Sequence, residues 1–203
     1  MNSHINRGDS HKLDITNRLA SFAAVFVCAI SICAHAAEGD DGYNETTIRL
    51  TDVPANAPAF TSYLSKPYTG ENAQIQLGND AEAKLFRTRL RQWSTHKVNF
   101  AGHYILATWG CGTDCSQIMI IDAVSGHVFH PKSISTNIAA NVDLGLINGG
   151  TVWPNEGSVK FRADSKLLVL IGAPDEDGSR RGISYYAWDH NQLQLVRYVP
   201  KPY

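Results

Sequence analysis

Two cysteines four positions apart, Cys111 and Cys115, stand in the run Trp109-Gly110-Cys111-Gly112-Thr113-Asp114-Cys115, with His103, His127, His130 and Asp122 close by in sequence. Any chemistry this chain performs would draw on these groups. A cysteine nucleophile needs a thiolate, a histidine within hydrogen-bond reach and amide donors for the oxyanion. Cys111 or Cys115, one of His103, His127 and His130 as base with Asp122 to orient it, and the amide of Gly112 or Cys115 make up that set. A zinc site would need about four converging N, S or O ligands, drawn from His103, His127, His130 and Asp114 or Asp122. On a strand, however, His127 and His130 face opposite ways because the side-chain period is two, so no metal site and no cofactor are expected. Oxidised, the same two cysteines pin a bend between strands. Gly110 and Gly112 give so short a ring its backbone freedom, and closing it is worth about 2 kcal/mol. A thioredoxin-like redox role would want Cys-x-x-Cys ahead of a helix, and here both the spacing and the following apolar strand differ.

Which of these states the cysteines adopt depends on where the chain resides. Arg7, Lys12 and Arg18 precede the apolar run Leu19 to Ala36, which closes on Ala34-His35-Ala36. A basic region, an apolar core and a small-x-small ending form a secretory signal peptide, here residues 1–36. A retained membrane anchor is the alternative, since the run approaches the ~20 residues of a spanning helix. Ser21, Ser31 and His35 dilute it. Bulky Val27 and Ile32 before Cys28 and Cys33 do not fit a lipidation box. Export leaves Cys111 and Cys115 as the mature chain's cysteines, and an oxidising space favours their disulfide. The 203-residue chain carries 18 basic and 19 acidic residues. The leader removes three of the first and two of the second, so the mature protein is near −2. It has no basic stripe of the kind nucleic acid requires, and no membrane span is expected after cleavage.

Behind these residues stand the elements that must position them. Residues 37–45 are acidic and glycine-containing and read as a disordered leader. Residues 46–203 read as one α+β, β-dominated domain, a mainly antiparallel meander with one amphipathic helix packed on it. Thr46 to Leu50 predicts a first strand, the prolines at 54, 58 and 67 an extended loop, and Ala73 to Leu77 a short strand. Asn79-Asp80 caps a helix over Ala81 to Trp93, with Leu85, Phe86, Leu90 and Trp93 on one face. Tyr104 to Trp109 and Gln117 to Ala123 predict strands, the second central because Ile118 to Ile121 is apolar on both faces. Residues 123–126 form a hairpin turn with Gly126 at positive φ, and Pro131 ends the return strand. Residues 134–154 read as loop with one or two short strands. Ser158 to Ala163, Lys166 to Gly172, Ile183 to Trp188 and Leu193 to Val199 predict the remaining strands.

Several of these pieces resemble known families. Phe161-Arg-Ala-Asp-Ser-Lys-Leu-Leu with Tyr185-Tyr-Ala-Trp-Asp looks like a β-propeller blade, but the chain is too short for a closed propeller. Asp114-Cys-Ser-Gln resembles the start of the secreted cell-wall cysteine peptidases, departing from it where Gln117 replaces glycine and a strand replaces the helix. Asn99-Phe-Ala-Gly-His-Tyr, the following Trp-Gly-Cys-Gly-Thr-Asp-Cys and Ile120-Ile-Asp-Ala-Val-Ser-Gly-His-Val-Phe resemble a family of small exported bacterial proteins without an assigned activity. That similarity spans roughly residues 86–196 and implies a periplasmic or secreted place and this β architecture, with no reaction attached. The expected function is non-catalytic binding of a protein partner in the envelope or outside, inhibitor- or immunity-like, by a monomer. Exposed groups at the bend (Trp109, Thr113, Asp114) and in the polar loop (Asp175, Arg180, Arg181) would carry it. The alternative is a cell-envelope hydrolase using Cys111 or Cys115 with His103.

Overall fold

A computed structural model of the chain describes residues 45–131, 134–148 and 157–203. The expected signal peptide (residues 1–36) and all of the expected leader except Glu45 lie outside the described residues. The architecture is α+β and β-dominated, an eight-stranded antiparallel sheet with few helices. In chain order the strands are β1 (Tyr104–Gly112), β2 (Cys115–Asp122), β3 (Val128–Phe129), β4 (Thr136–Ile138), β5 (Val159–Arg162), β6 (Ser165–Pro174), β7 (Gly182–Asp189) and β8 (Gln192–Pro200). Their spatial order is β1-β2-β4-β6-β7-β8, with β3 paired to β2 and β5 to β6.

The doubly apolar runs explain this order. Ile118 to Ile121 and Leu167 to Ile171 are buried on both faces, so β2 and β6 must be covered on two sides. One face of each meets the other: Leu106, Ile118 and Ile120 cluster with Leu168, Leu170 and Trp188. The remaining face of β1 and β2 packs Ile105, Met119 and Ile121 against Ala83 and Leu90 of the helical segment. The remaining face of β6 and β7 packs Val169, Ile171 and Tyr185 against Ile48 and Phe60 of the N-terminal segment and Leu146.

The sequence-based elements differ from the structure in four places. Residues 46–50 form no strand. Ile48 makes one parallel bridge to Val142 and Leu50–Asp52 turns as a 3-10 helix, because the loop at Asn141 offers one carbonyl partner rather than a ladder. Gln76 likewise makes a single bridge, to His127, where a strand over 73–77 is expected. The helix is capped by Asp80, whose carboxylate accepts from the Glu82 and Ala83 amides, but breaks at Phe86 (φ −93°, ψ 15°) into α1 (Ala81–Leu85) and α2 (Arg87–Trp93). The break turns Leu85 outward, 71% exposed, while Leu90 is buried. Residues 134–148, expected to be loop with one or two short strands, hold one such strand, β4, and also the single turn α3 (Leu144–Ile147), which was not expected. Three residues of Thr136-Asn137-Ile138 carry no periodicity to read, yet β4 is the strand that joins the two halves of the sheet.

Candidate functional site

β1 and β2 form a hairpin whose register runs from Tyr104 opposite Asp122 to Gly112 opposite Cys115, with Cys111 the extra residue of a bulge. A bulge lets one side chain leave the ladder, and here it brings the Cys111 sulfur to Cys115, to which it is bonded. Gly112 at φ 154° and Asp114 at φ 55° turn the chain around Thr113. Residues 110–114 are exposed, while Cys115 is buried. The Asp114 carbonyl accepts the Ala139 amide (2.8 Å), tying the tip to the end of β4.

Beside the tip lies a groove of about 450 Å³. Asp114 and Ser116 give it a polar rim, and Val142, Leu144 and Ile147 an apolar wall. Leu144, on α3, is 71% exposed. It stands on a capped turn, where the Asp143 carboxylate accepts the Gly145 amide.

The histidines are elsewhere. His103 precedes β1 at its far end, eight residues from Cys111, roughly 25 Å along an extended strand. Its Nε2 is 3.8 Å from Asp122 Oδ1 and its ring stacks on Tyr104. Asp122 is already committed to the hairpin turn, accepting from the amides of Val124 and Ser125 and from the Ser125 hydroxyl. His127 is exposed and meets the Phe129 ring edge to face. His130 lies against α1, with Nε2 3.3 Å from Glu82 Oε2 and Nδ1 3.9 Å from Asp80 Oδ2. Among the described residues no histidine is abreast of the cysteines, and no three His, Cys, Asp or Glu side chains converge to hold a metal ion.

Of the residues expected at a contact surface, Thr113 and Asp114 are presented at the tip. Trp109 is not: it is half-buried on the helix side, 5.2 Å from the Phe86 ring and under the Arg89 guanidinium, because α1 and α2 need an aromatic cover at that corner. Asp175 accepts from the Ser135 hydroxyl and the Thr136 amide and pairs with Arg180. Arg180 also binds Asp177 and the Pro174 carbonyl. The Asp177 carboxyl is held below the usual range by the Ser179 hydroxyl and amide and by Arg180. The polar loop is thus braced by its own charges. Arg181, expected to be exposed, is 1% exposed. Its guanidinium donates to four carbonyls, those of Thr46, Lys201, Ala140 and Asn141, and lies 4.4 Å from the Tyr203 ring centre.

The sequence reading missed Leu144 and the groove, because a four-residue turn that contains Gly145 and ends at Asn148 reads as loop. The exposed leucine after a capping aspartate was the signal present.

No protein-family model matches the chain, and no solved structure matches it significantly. It is 24% identical over 165 residues to phosphoribosylformylglycinamidine synthase subunit PurL of Chelativorans sp. (strain BNC1), a similarity covering 74% of this chain and 21% of that protein. The chain thus spans about a fifth of the length of the protein it matches.

Proposed function

We propose that this is an exported, non-catalytic binding protein that recognises a protein partner through the disulfide-closed tip of the β1–β2 hairpin and the adjoining groove. It would belong with the small exported bacterial proteins that its Phe-Ala-Gly-His-Tyr and Trp-Gly-Cys-Gly-Thr-Asp-Cys runs resemble. One observation carries the reading: both cysteines are spent in a disulfide that braces an exposed lip beside Leu144. A bonded cysteine has no thiolate to attack with, and the strand length keeps His103 out of reach of either sulfur. The same bond supports an oxidising compartment. Among the described residues no helix is long and apolar enough to cross a membrane. The apolar wall and the Asp114 rim fit a partner that offers an aliphatic or aromatic side chain flanked by a basic group.

The test places a photo-crosslinking amino acid at Thr113 in the exported chain and, as control, at exposed Lys166. The expected result is one discrete adduct from envelope or culture proteins, formed from position 113 alone and lost in Leu144→Arg and Asp114→Arg. Adducts indifferent to those substitutions, or equal from position 166, would sink the proposal. So would a reactive free thiol in protein purified without reductant.

A further inference from the structure

The outer edge of β1 is closed along one half and open along the other. β1 begins the spatial order, with no described strand beyond it. At its start the preceding loop closes the edge: the Tyr104 amide donates to the Phe100 carbonyl, and the Tyr104 carbonyl accepts from the amides of Asn99 and Phe100. Two residues on, the Asn99 side chain stands in for a neighbouring strand. Its Oδ1 accepts the Leu106 amide at 2.7 Å, and its Nδ2 donates to the Leu106 carbonyl at 3.1 Å. Tyr104 and Leu106 therefore turn their main-chain groups away from β2. That direction alternates along an antiparallel strand, so Thr108 and Gly110 turn theirs outward too. Among the described residues no hydrogen bond reaches these four groups. Thr108 is half-buried and Gly110 exposed, and a Cβ added at Gly110 would find no atom nearer than the Cys115 carbonyl oxygen at 4.0 Å.

Unpaired amides and carbonyls along a sheet edge are a template for one more strand. An extended polypeptide carries the matching acceptors and donors at the same spacing. The other edge strand, β8, is interrupted in mid-course by a bulge at Val196, a device that hinders strand addition. The Cys111 bulge of β1 falls beyond its open stretch. Pairing at Thr108 and Gly110 sets one incoming side chain directly opposite Trp109, on the helix side of the sheet. The exposed Arg89 guanidinium lies 5.7 Å over that ring, so an acidic side chain there meets a cation and a basic one is repelled. We propose that the protein partner adds an extended antiparallel strand to β1 at Thr108 and Gly110, with Asp or Glu opposite Trp109. This rests on the tip reading, since the open edge runs straight into the exposed lip at Thr113.

The test follows amide exchange by NMR in the full oxidised chain during titration with the blocked pentapeptide Thr-Val-Glu-Val-Thr, its Lys-centred analogue, and a version N-methylated at both valines, whose amides would face β1. The first peptide should slow exchange at Thr108 and Gly110 saturably in the millimolar range or below, and bind about fivefold tighter than the Lys-centred one. That preference should vanish in Arg89→Gln. The N-methylated peptide should not protect either amide. Gly110→Pro removes an outward donor without breaking a β1–β2 ladder bond and should abolish protection at Thr108. No protection by either unmethylated peptide, or equal protection by the N-methylated one, would overturn the proposal. So would protection that appears without peptide and grows with protein concentration, which would mean pairing with a second copy. An adduct from position 113 that persists in Gly110→Pro would overturn strand addition and leave the tip reading standing. Edge binding of the peptides with no adduct from position 113 would do the reverse.

Discussion

Tyr185 shows at the level of one residue how the core sets the protein's response to pH. It is fully buried among Val169, Ile171 and Ile183, and its hydroxyl has no hydrogen-bond partner. Burial raises its pKa to about 12, a shift that the Arg197 charge only partly offsets. The folded state therefore holds the phenolic proton over a pH range in which the unfolded chain, titrating near its ordinary value of about 10, has released it. Where the native state binds more protons than the unfolded one, stability falls with rising pH. The contribution is whole below pH ~10 and is lost between ~10 and ~12, a matter of roughly 2–3 kcal/mol. Burial raises Tyr104 and Tyr186 in the same direction. We expect urea unfolding followed from pH 9 to 12 to show a steep loss. Tyr185→Phe, which deletes an unpartnered hydroxyl, should keep or improve stability at pH 8 and lower the proton count of the alkaline transition by about one. An unchanged slope in that variant would place the titration elsewhere.

Gly172 is where two elements decide the sheet. At φ 135° in β6, it lets the strand lie against the Ile138 carbonyl of β4, where an added Cβ would strike backbone atoms. β4 has three residues, so one lost contact is a large share of its hold on β6. Gly172→Ala is expected to cost about 2–4 kcal/mol, combining backbone strain with a steric clash, read as a lower urea midpoint. A change within about 0.5 kcal/mol, the size usual for neutral surface substitutions, would show that the junction yields freely. These elements also mark the limit of what the sequence made visible. The apolar runs of β2 and β6 announced themselves because a doubly buried strand must be apolar throughout. The Asp80 cap was equally visible, since capping is a local bond. Neither the exact place of β4 within a stretch expected to hold one or two short strands, nor the break at Phe86, was. Three residues carry no period, and Phe86 reads as helix interior until Trp109 is known to pack on its ring. At the candidate sites, the cysteine spacing was readable as a bond, but the fate of Arg181 was not. Its four acceptors come from three distant stretches of chain that no local pattern connects.

Across the whole molecule, the long hairpin separates two groups that were adjacent in sequence. The cysteines cap one end, while His103 and Tyr104 occupy the other. Reducing the Cys111–Cys115 bond removes a short-loop constraint worth about 2 kcal/mol. It should therefore lower the urea midpoint without unfolding the protein, and free the amides of residues 111–114 to exchange. The indole N–H resonance of Trp188, whose ring packs on Tyr104, should stay where it is. If that resonance moved, the two ends would be coupled through the hairpin.

The carbonyl fan around Arg181 has a topological consequence. One nitrogen of its guanidinium is shared by Thr46 near the start of the described domain and Lys201 near its finish, so a single side chain nearly closes the polypeptide into a circle. A short linker joining those neighbours would complete the ring. The exposed turn at Val124 and Ser125 lies far enough from Arg181 in the chain to be cut open in exchange, leaving the disulfide tip intact on a protein that begins and ends somewhere new.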